Sequence, residues 1–155
     1  MSKAVFFDID GTLWDFHNRI PESTVRAIRA LRANGHYAFI CSGRARAYIT
    51  HPDLFAIGFD GLVAACGTHV ELDGKRIYEK LIDRELAIHT VETVRKYGFR
   101  PILEGPEYLY MDEKDFAQEP YGQKLMRELD DRLRGITDHY GEWEINKLSC
   151  ATDHA

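Results

Sequence analysis

Two carboxylates stand one residue apart at the end of an apolar run: Val5-Phe6-Phe7-Asp8-Ile9-Asp10-Gly11-Thr12-Leu13-Trp14. Apolar runs of this kind are usually buried strands, and paired carboxylates repel each other and resist leaving water. Strand alternation turns Asp8 and Asp10 towards the same side. Gly11 permits a tight turn that brings backbone close to a ligand, and Thr12 adds a hydroxyl. Backbone N–H groups in such a turn can cradle an anion. Two acids beside that cradle repel an anionic substrate unless a cation intervenes. Mg2+ suits the position, because it takes oxygen ligands and keeps waters and substrate phosphate oxygens. The chemistry implied is attack by Asp8 on phosphorus to give an aspartyl-phosphate. Asp10 would protonate the leaving oxygen and then deprotonate the hydrolytic water, while the metal neutralises transition-state charge.

A second cluster, Ser42-Gly43-Arg44, follows the apolar run 37–41. Ser42 offers a hydroxyl and Gly43 an unhindered N–H, both suited to a phosphoryl oxygen. Arg44 pairs either with substrate or with a surface carboxylate.

These residues need a scaffold. Residues 3–7, 37–41 and 61–66 read as short buried strands. Between them lie a helix that begins after Pro21, carries Val25, Ile28 and Leu31 at helical spacing and stops at Gly35, and a helix over 45–56 interrupted near Pro52. Such a βαβαβ pattern predicts an α/β fold with a parallel sheet and right-handed crossovers. Ligands collect outside the carboxyl ends of such strands, where both clusters fall. After Gly67 the character changes. Segments 68–72 and 76–81 flank Asp73-Gly74-Lys75, a hairpin signal. Asp83 caps a helix carrying Ala87, Val91 and Val94 and ended by Gly98. Strands near 99–103, 108–111 and 143–148 and a helix within 121–133 complete an α+β block. The expected organisation is a core over 1–67 and a second module over 68–155.

A chain of 155 residues holds one domain, or a small core with a smaller module. With 45% hydrophobic and 29% charged residues it is globular and not disordered. A net charge of −5 argues against general nucleic-acid binding. Arg26, Arg29 and Arg32 read as a solvated helix face, since no aromatic residues interleave with them. No apolar stretch approaches the ~20 residues of a membrane span, and the N-terminal run leads straight into carboxylates, unlike a signal peptide. Cys41, Cys66 and Cys150 form neither a disulfide framework nor a zinc pattern. Cys41 and Cys66 end apolar runs and read as small buried side chains. A cytoplasmic location is expected, with a small phosphorylated metabolite as partner and no nucleic acid or membrane.

Asp8-Ile9-Asp10-Gly11-Thr12-Leu13 resembles the first motif of the haloacid dehalogenase-like (HAD) hydrolases. Ser42-Gly43-Arg44 resembles their second motif in the form seen among Cof-type sugar-phosphate phosphatases. The hairpin from Thr68 to Tyr78 looks like the start of that subgroup's α/β cap. The resemblance implies a Rossmann-like parallel-sheet HAD core, here partial, with an inserted α+β cap of the C2 type. It further implies Asp8 as nucleophile, Asp10 as acid/base, and Mg2+ held by the Asp8 side chain and the Asp10 backbone carbonyl. Ser42 would hold the phosphoryl group, with Gly11, Thr12, Gly43 and Arg44 beside it. The second aspartate points to a phosphatase or phosphomutase.

Family members continue into further core strands that bring a lysine and acidic residues to the metal. Here Asp130-Asp131 reads as a solvated face, Asp138 lacks a preceding glycine, Lys147 lies in a cap-like strand, and Asp153 is close to the terminus. The seven histidines show no metal-ligand pairing. Tyr108, Tyr110 and Trp143 either touch substrate or pack strands. The chain therefore looks like the first part of a longer enzyme. Two readings follow: a magnesium-dependent phosphatase, or a truncated, non-catalytic HAD-like fragment with weak metal and phosphate binding. An unpaired edge at 3–7 would favour a homo-oligomer. Should the chain by itself turn over well, Glu104, Asp138 and Asp153 would be the first acids to mutate.

Overall fold

Alternating burial builds the first sheet. The computed structural model describes residues 1–152, so Asp153 lies outside the described residues. β1 (Ala4–Phe7) is followed by α1 (Glu22–Ala33), β2 (Tyr37–Cys41), α2 (Pro52–Ala56) and β3 (Gly61–Ala64). The three strands run parallel, with Phe7 opposite Ile40 and Cys41 opposite Val63. β4 (His69–Leu72) and β5 (Lys75–Glu79) then add antiparallel, in the order β1-β2-β3-β4-β5. Their turn sets both Asp73 (φ 49°) and Gly74 (φ 71°) at positive φ, as a right-twisted two-residue hairpin requires.

One face of this sheet is covered. Ala38, Ile40, Leu62 and Ala64 pack with Ile28 of α1, Leu54 of α2, Ile57, Leu13 and Trp14. On the other face Phe6 stacks on Phe39, centroids 5.0 Å apart. Phe39 also lies over Gly61, where a Cβ would meet its ring at 2.9 Å. Phe6 remains 55% exposed. Among the described residues β1 pairs with β2 alone, so it forms the sheet edge.

The chain divides into two compact units, Met1–Arg44 with Ile49–Glu79, and Ala45–Tyr48 with the residues from Lys80 onward. Position 67, where the sequence changes character, falls between β3 and β4, inside the five-stranded sheet.

The second unit begins with α3 (Arg84–Lys96), whose Asp83 cap accepts from the N–H groups of Glu85 and Leu86. β6 (Arg100–Glu104), β7 (Leu109–Tyr110), α4 (Pro120–Leu129), β8 (Leu133–Arg134) and β9 (Lys147–Ala151) follow, and the sheet order is β8-β7-β6-β9. Asp112 ties α3 to the segment after β8. It accepts from Arg95 at 2.6 Å and from the N–H and hydroxyl of Thr137 at 3.0 and 2.6 Å. Burial pushes the Asp112 carboxyl up, but Thr137 and Arg95 outweigh it and hold it below the usual carboxylate range.

Three expectations change. The helix over 45–56 is replaced by a 3-10 turn at Arg46–Tyr48 and the short α2. Ala45, Ala47 and Tyr48 instead pack into the second unit's core with Ile102, Leu109 and Leu125. The last strand begins at Lys147; Trp143 and Ile145 are buried ahead of it without a ladder, and the Trp143 indole donates to the Ile136 carbonyl at 3.2 Å. The cysteines are exposed. Cys41 alternates away from Ile40 onto the uncovered face, and Cys66 lies in a turn at φ 57°.

Asp60 fastens α1 to β2. Its carboxylate accepts from the Ala38 N–H at 2.8 Å and from Arg32 at 2.7 Å, and its backbone carbonyl accepts from Asp73. Arg32 holds the Asp60 carboxyl below its ordinary range. Because Arg32 is partly exposed its ion pair is screened, so Asp60→Ala should destabilise by only about 1–2 kcal/mol at neutral pH. A depressed folded pKa adds stability above the unfolded carboxylate range, lost as pH falls through the folded value. Urea unfolding at pH 7 and pH 3 should therefore show the two proteins converging in acid.

Candidate functional site

The parallel register sets the carboxyl ends of β1, β2 and β3 on one edge of the first unit. Asp8 immediately follows β1, Ser42 follows β2, and a turn at Ala65–Gly67 follows β3. The backbone stitches these segments together: Ser42 N–H donates to Val63 O at 2.9 Å, Ala65 N–H to Arg44 O at 2.8 Å, and Cys66 N–H to Ser42 O at 3.4 Å.

After β1 the chain folds into a closed turn around Ile9, which is fully buried. The N–H groups of Thr12, Leu13 and Trp14 all donate to the Ile9 carbonyl, at 3.3, 3.0 and 3.3 Å, and Gly11 N–H donates to Trp14 O at 3.1 Å. Gly11, at φ 75°, provides the left-handed step this closure needs. The Gly11 and Thr12 amides are thus spent inside the turn. What they leave for an anion is the exposed Thr12 hydroxyl and the approach that Gly11 allows.

Asp8 and Asp10 are both exposed. The Asp8 carboxylate carries no ion pair among the described residues. Asp10 is held from two sides. Arg44 Nε and Nη2 each donate to one of its oxygens at 2.7 Å, and the Trp14 indole donates to Oδ1 at 3.1 Å. The guanidinium carbon lies 5.2 Å from the Trp14 ring centroid, within cation–π range. Arg44 is the more buried partner, its side chain 14% exposed against 54% for Asp10. Arg44 thus makes a carboxylate pairing of the kind the sequence allowed.

Ser42 is 6% exposed, and its Oγ accepts from the Arg44 N–H at 3.1 Å. That bond occupies a lone pair and leaves the hydroxyl proton to donate elsewhere. Gly43 sits against Cys66, whose Sγ would be 3.6 Å from a Cβ at that position.

Mg2+ takes hard oxygen donors and retains waters, so a site with few protein ligands suits it. The exposed Asp8 carboxylate and the Asp10 carbonyl are donors of that type. No group of three His, Cys, Asp or Glu side chains gathers for a metal among the described residues. When bound, the ion would supply positive charge beside a phosphoryl group.

The remaining candidates belong to the second unit. Glu104 is buried and committed to Lys147 at 2.8 Å and to the Ser149 hydroxyl at 2.6 Å. Asp138 is exposed beside Gly135. Tyr110 and Trp143 are core residues, which favours packing for both. Among the histidines His69 is 3% exposed, with its two ring nitrogens 3.1 Å from Glu79 and 2.9 Å from Glu71, a satisfied core position. Trp14 is the site residue that the sequence reading passed over. Its signal was an indole four residues after an acid in a glycine turn.

Comparison with known proteins matches this architecture. "Putative phosphatase YkrA" of Bacillus subtilis (strain 168) is 38% identical over 102 residues, which are 66% of this chain and 39% of that protein. A solved structure of a hypothetical protein from Geobacillus kaustophilus HTA426 shares 28% identity at a TM-score of 0.73, over 97% of this chain and 57% of that one. The HAD subclass IIB sugar phosphatase BT4131 shares the fold at a TM-score of 0.72 and 23% identity, over 97% of this chain and 58% of that one. The chain thus spans well under two thirds of each relative's length. No helix among the described residues is long and apolar enough to cross a membrane. The family model of haloacid dehalogenase-like hydrolases matches residues 5–153, and the chain belongs to that family.

Proposed function

We propose that this chain carries the phosphoryl-handling site of a magnesium-dependent phosphatase for small phosphorylated metabolites, sugar phosphates among them. The observation that carries the reading is the arrival of Asp8, Asp10 and Ser42 at one end of a parallel sheet in a hydrolase family. A sugar phosphatase among the proteins of the same fold supports the substrate class.

In this reading an Asp8 oxygen attacks phosphorus, the bond from phosphorus to the leaving oxygen breaks, and that oxygen takes a proton from Asp10. Water then gives a proton to Asp10 while its oxygen attacks the phosphorus of the aspartyl-phosphate, which releases phosphate and restores Asp8. The Ser42 hydroxyl donates to a phosphoryl oxygen throughout, and the Thr12 hydroxyl serves as a second donor. In the same reading, residues 68–155 form the cap module that gives the enzyme its substrate preference.

A second reading, a unit that binds phosphate and metal without turnover, is favoured by the Asp10–Arg44 pairing, which occupies both oxygens of the acid/base. Phosphate release from a panel of sugar phosphates, with and without Mg2+, decides between them. The phosphatase reading expects Mg2+-dependent release that Asp8→Asn abolishes without unfolding and Asp10→Asn lowers by ~10²–10⁴-fold. Substantial release by pure Asp8→Asn protein would remove Asp8 from the nucleophile role. No release, with Mg2+ and phosphate still bound, would favour the second reading.

Ser42→Ala should weaken phosphate binding by about 10- to 100-fold, the effect of losing one hydrogen bond to a charged group, with circular dichroism unchanged. Isothermal titration with phosphate measures it; an unaltered affinity would take Ser42 out of the site.

We also propose that a second copy of this chain pairs along the outer edge of β1. One side of that strand is unpaired among the described residues, and the neighbouring Phe6 is exposed. Sedimentation should show a dimer or larger species, and a monomer at all concentrations would overturn the pairing.

A further inference from the structure

The bidentate contact between Arg44 and Asp10 joins two groups that the proposed reaction needs apart. A leaving oxygen must reach the Asp10 carboxylate, yet both of its oxygens are occupied by one guanidinium, at 2.7 Å each. The same guanidinium issues from the loop whose Ser42 would hold phosphate, and the Arg44 N–H is bonded to the Ser42 Oγ. A guanidinium fork fits a carboxylate and a phosphoryl group in the same planar, two-bond geometry. A phosphoryl group brings up to two negative charges to that loop, against one on Asp10.

The geometry points to a latch: Arg44 holds the Asp10 carboxylate and passes its fork to the phosphoryl oxygens when phosphate enters, which frees Asp10 to face the leaving oxygen. This inference rests on the phosphate-site reading above. Trp14 reports the state of the latch. Its indole N–H is bonded to Asp10, and its ring lies under the Arg44 guanidinium at 5.2 Å. It is 5% exposed, so bulk solvent barely touches it.

The test uses the full chain labelled with 5-fluorotryptophan. The two tryptophans, Trp14 and Trp143, give two fluorine resonances, assigned by their loss in Trp14→Phe and Trp143→Phe. Inorganic phosphate is titrated in the presence of Mg2+, with chloride at matched ionic strength as control, and phosphorus line broadening measures binding separately. The expected result is a saturable shift of the Trp14 resonance with phosphate, none with chloride, and a Trp143 resonance that stays in place. Arg44→Gln should place the Trp14 resonance near its phosphate-saturated position before any phosphate is added. Phosphate should then bind about 10- to 100-fold more weakly and move the resonance no further. Arg44→Lys, which keeps the charge without the fork, should recover part of the shift. Circular dichroism checks that each variant is folded. If phosphate binds the unaltered chain and Trp14 stays still, or if Arg44→Gln shifts as the unaltered chain does, the latch is wrong and the phosphate site stands. If phosphate does not bind the unaltered chain, the phosphate site itself is wrong and the latch falls with it.

Discussion

The parallel pairing of β1, β2 and β3 is the constraint from which the rest of the first unit follows. Parallel strands need crossovers, and the crossovers here, through α1 and α2, supply the apolar cover of one sheet face. The same pairing sends the segments after all three strands to one edge. The acidic turn, the Ser42 loop and the turn after β3 therefore meet although their residues are far apart in sequence. Packing inside the sheet is tight where the pairing demands it: Phe39 can lie flat between Phe6 and the bare Cα of Gly61 only because that position has no side chain.

The electrostatics of the acidic turn differ from what an apolar run ending in two carboxylates suggests. Such a run implies that the acids are drawn into the interior at a desolvation cost that a cation must offset. In the structure the run stops at Phe7, Ile9 takes the buried place between the acids, and both carboxylates remain in water. Asp10 gains a charge-assisted fork and an indole donor while staying half exposed. The turn is thus closed by the Ile9 carbonyl and anchored by the buried Ile9 side chain.

Much of the scaffold was legible because its elements carry local signals. The run before Asp8, the helix between Pro21 and Gly35, the Asp-Gly turn and the Asp83 cap all follow from short-range chemistry. The failures have tertiary causes. Ala45, Arg46 and Ala47 are good helix formers, yet the core around Ile102 and Leu125 claims the side chains of Ala45 and Ala47, and packing overrides propensity. Trp143 and Ile145 alternate as a strand would, but the Ile145 carbonyl accepts from Ile82 and the Asn146 amide donates to Glu104, which is anchoring without a ladder. Cys41 ends an apolar run, and apolar runs read as buried on both faces; here one face is covered and Cys41 is on the other. The placement of Asp8 just after β1 and of Ser42 just after β2 was legible from the apolar run before each. The pairing of Arg44 with Asp10 was not, because it spans 34 positions and depends on the strand register.

The assignment of Ala45–Tyr48 to the second unit has a consequence for how such a protein can be recombined. The chain passes between the units at three places: after Arg44, after Tyr48 and after Glu79. Neither unit is a continuous segment. A graft that exchanged everything from Lys80 onward would carry off the core around Ile102, Leu109 and Leu125 and strand Ala45, Ala47 and Tyr48 without it. Those residues directly follow Ser42-Gly43-Arg44 in sequence, so an ill-matched donor would burden that loop first. An exchange that kept this core whole would have to carry Ala45–Tyr48 together with the residues from Lys80 onward.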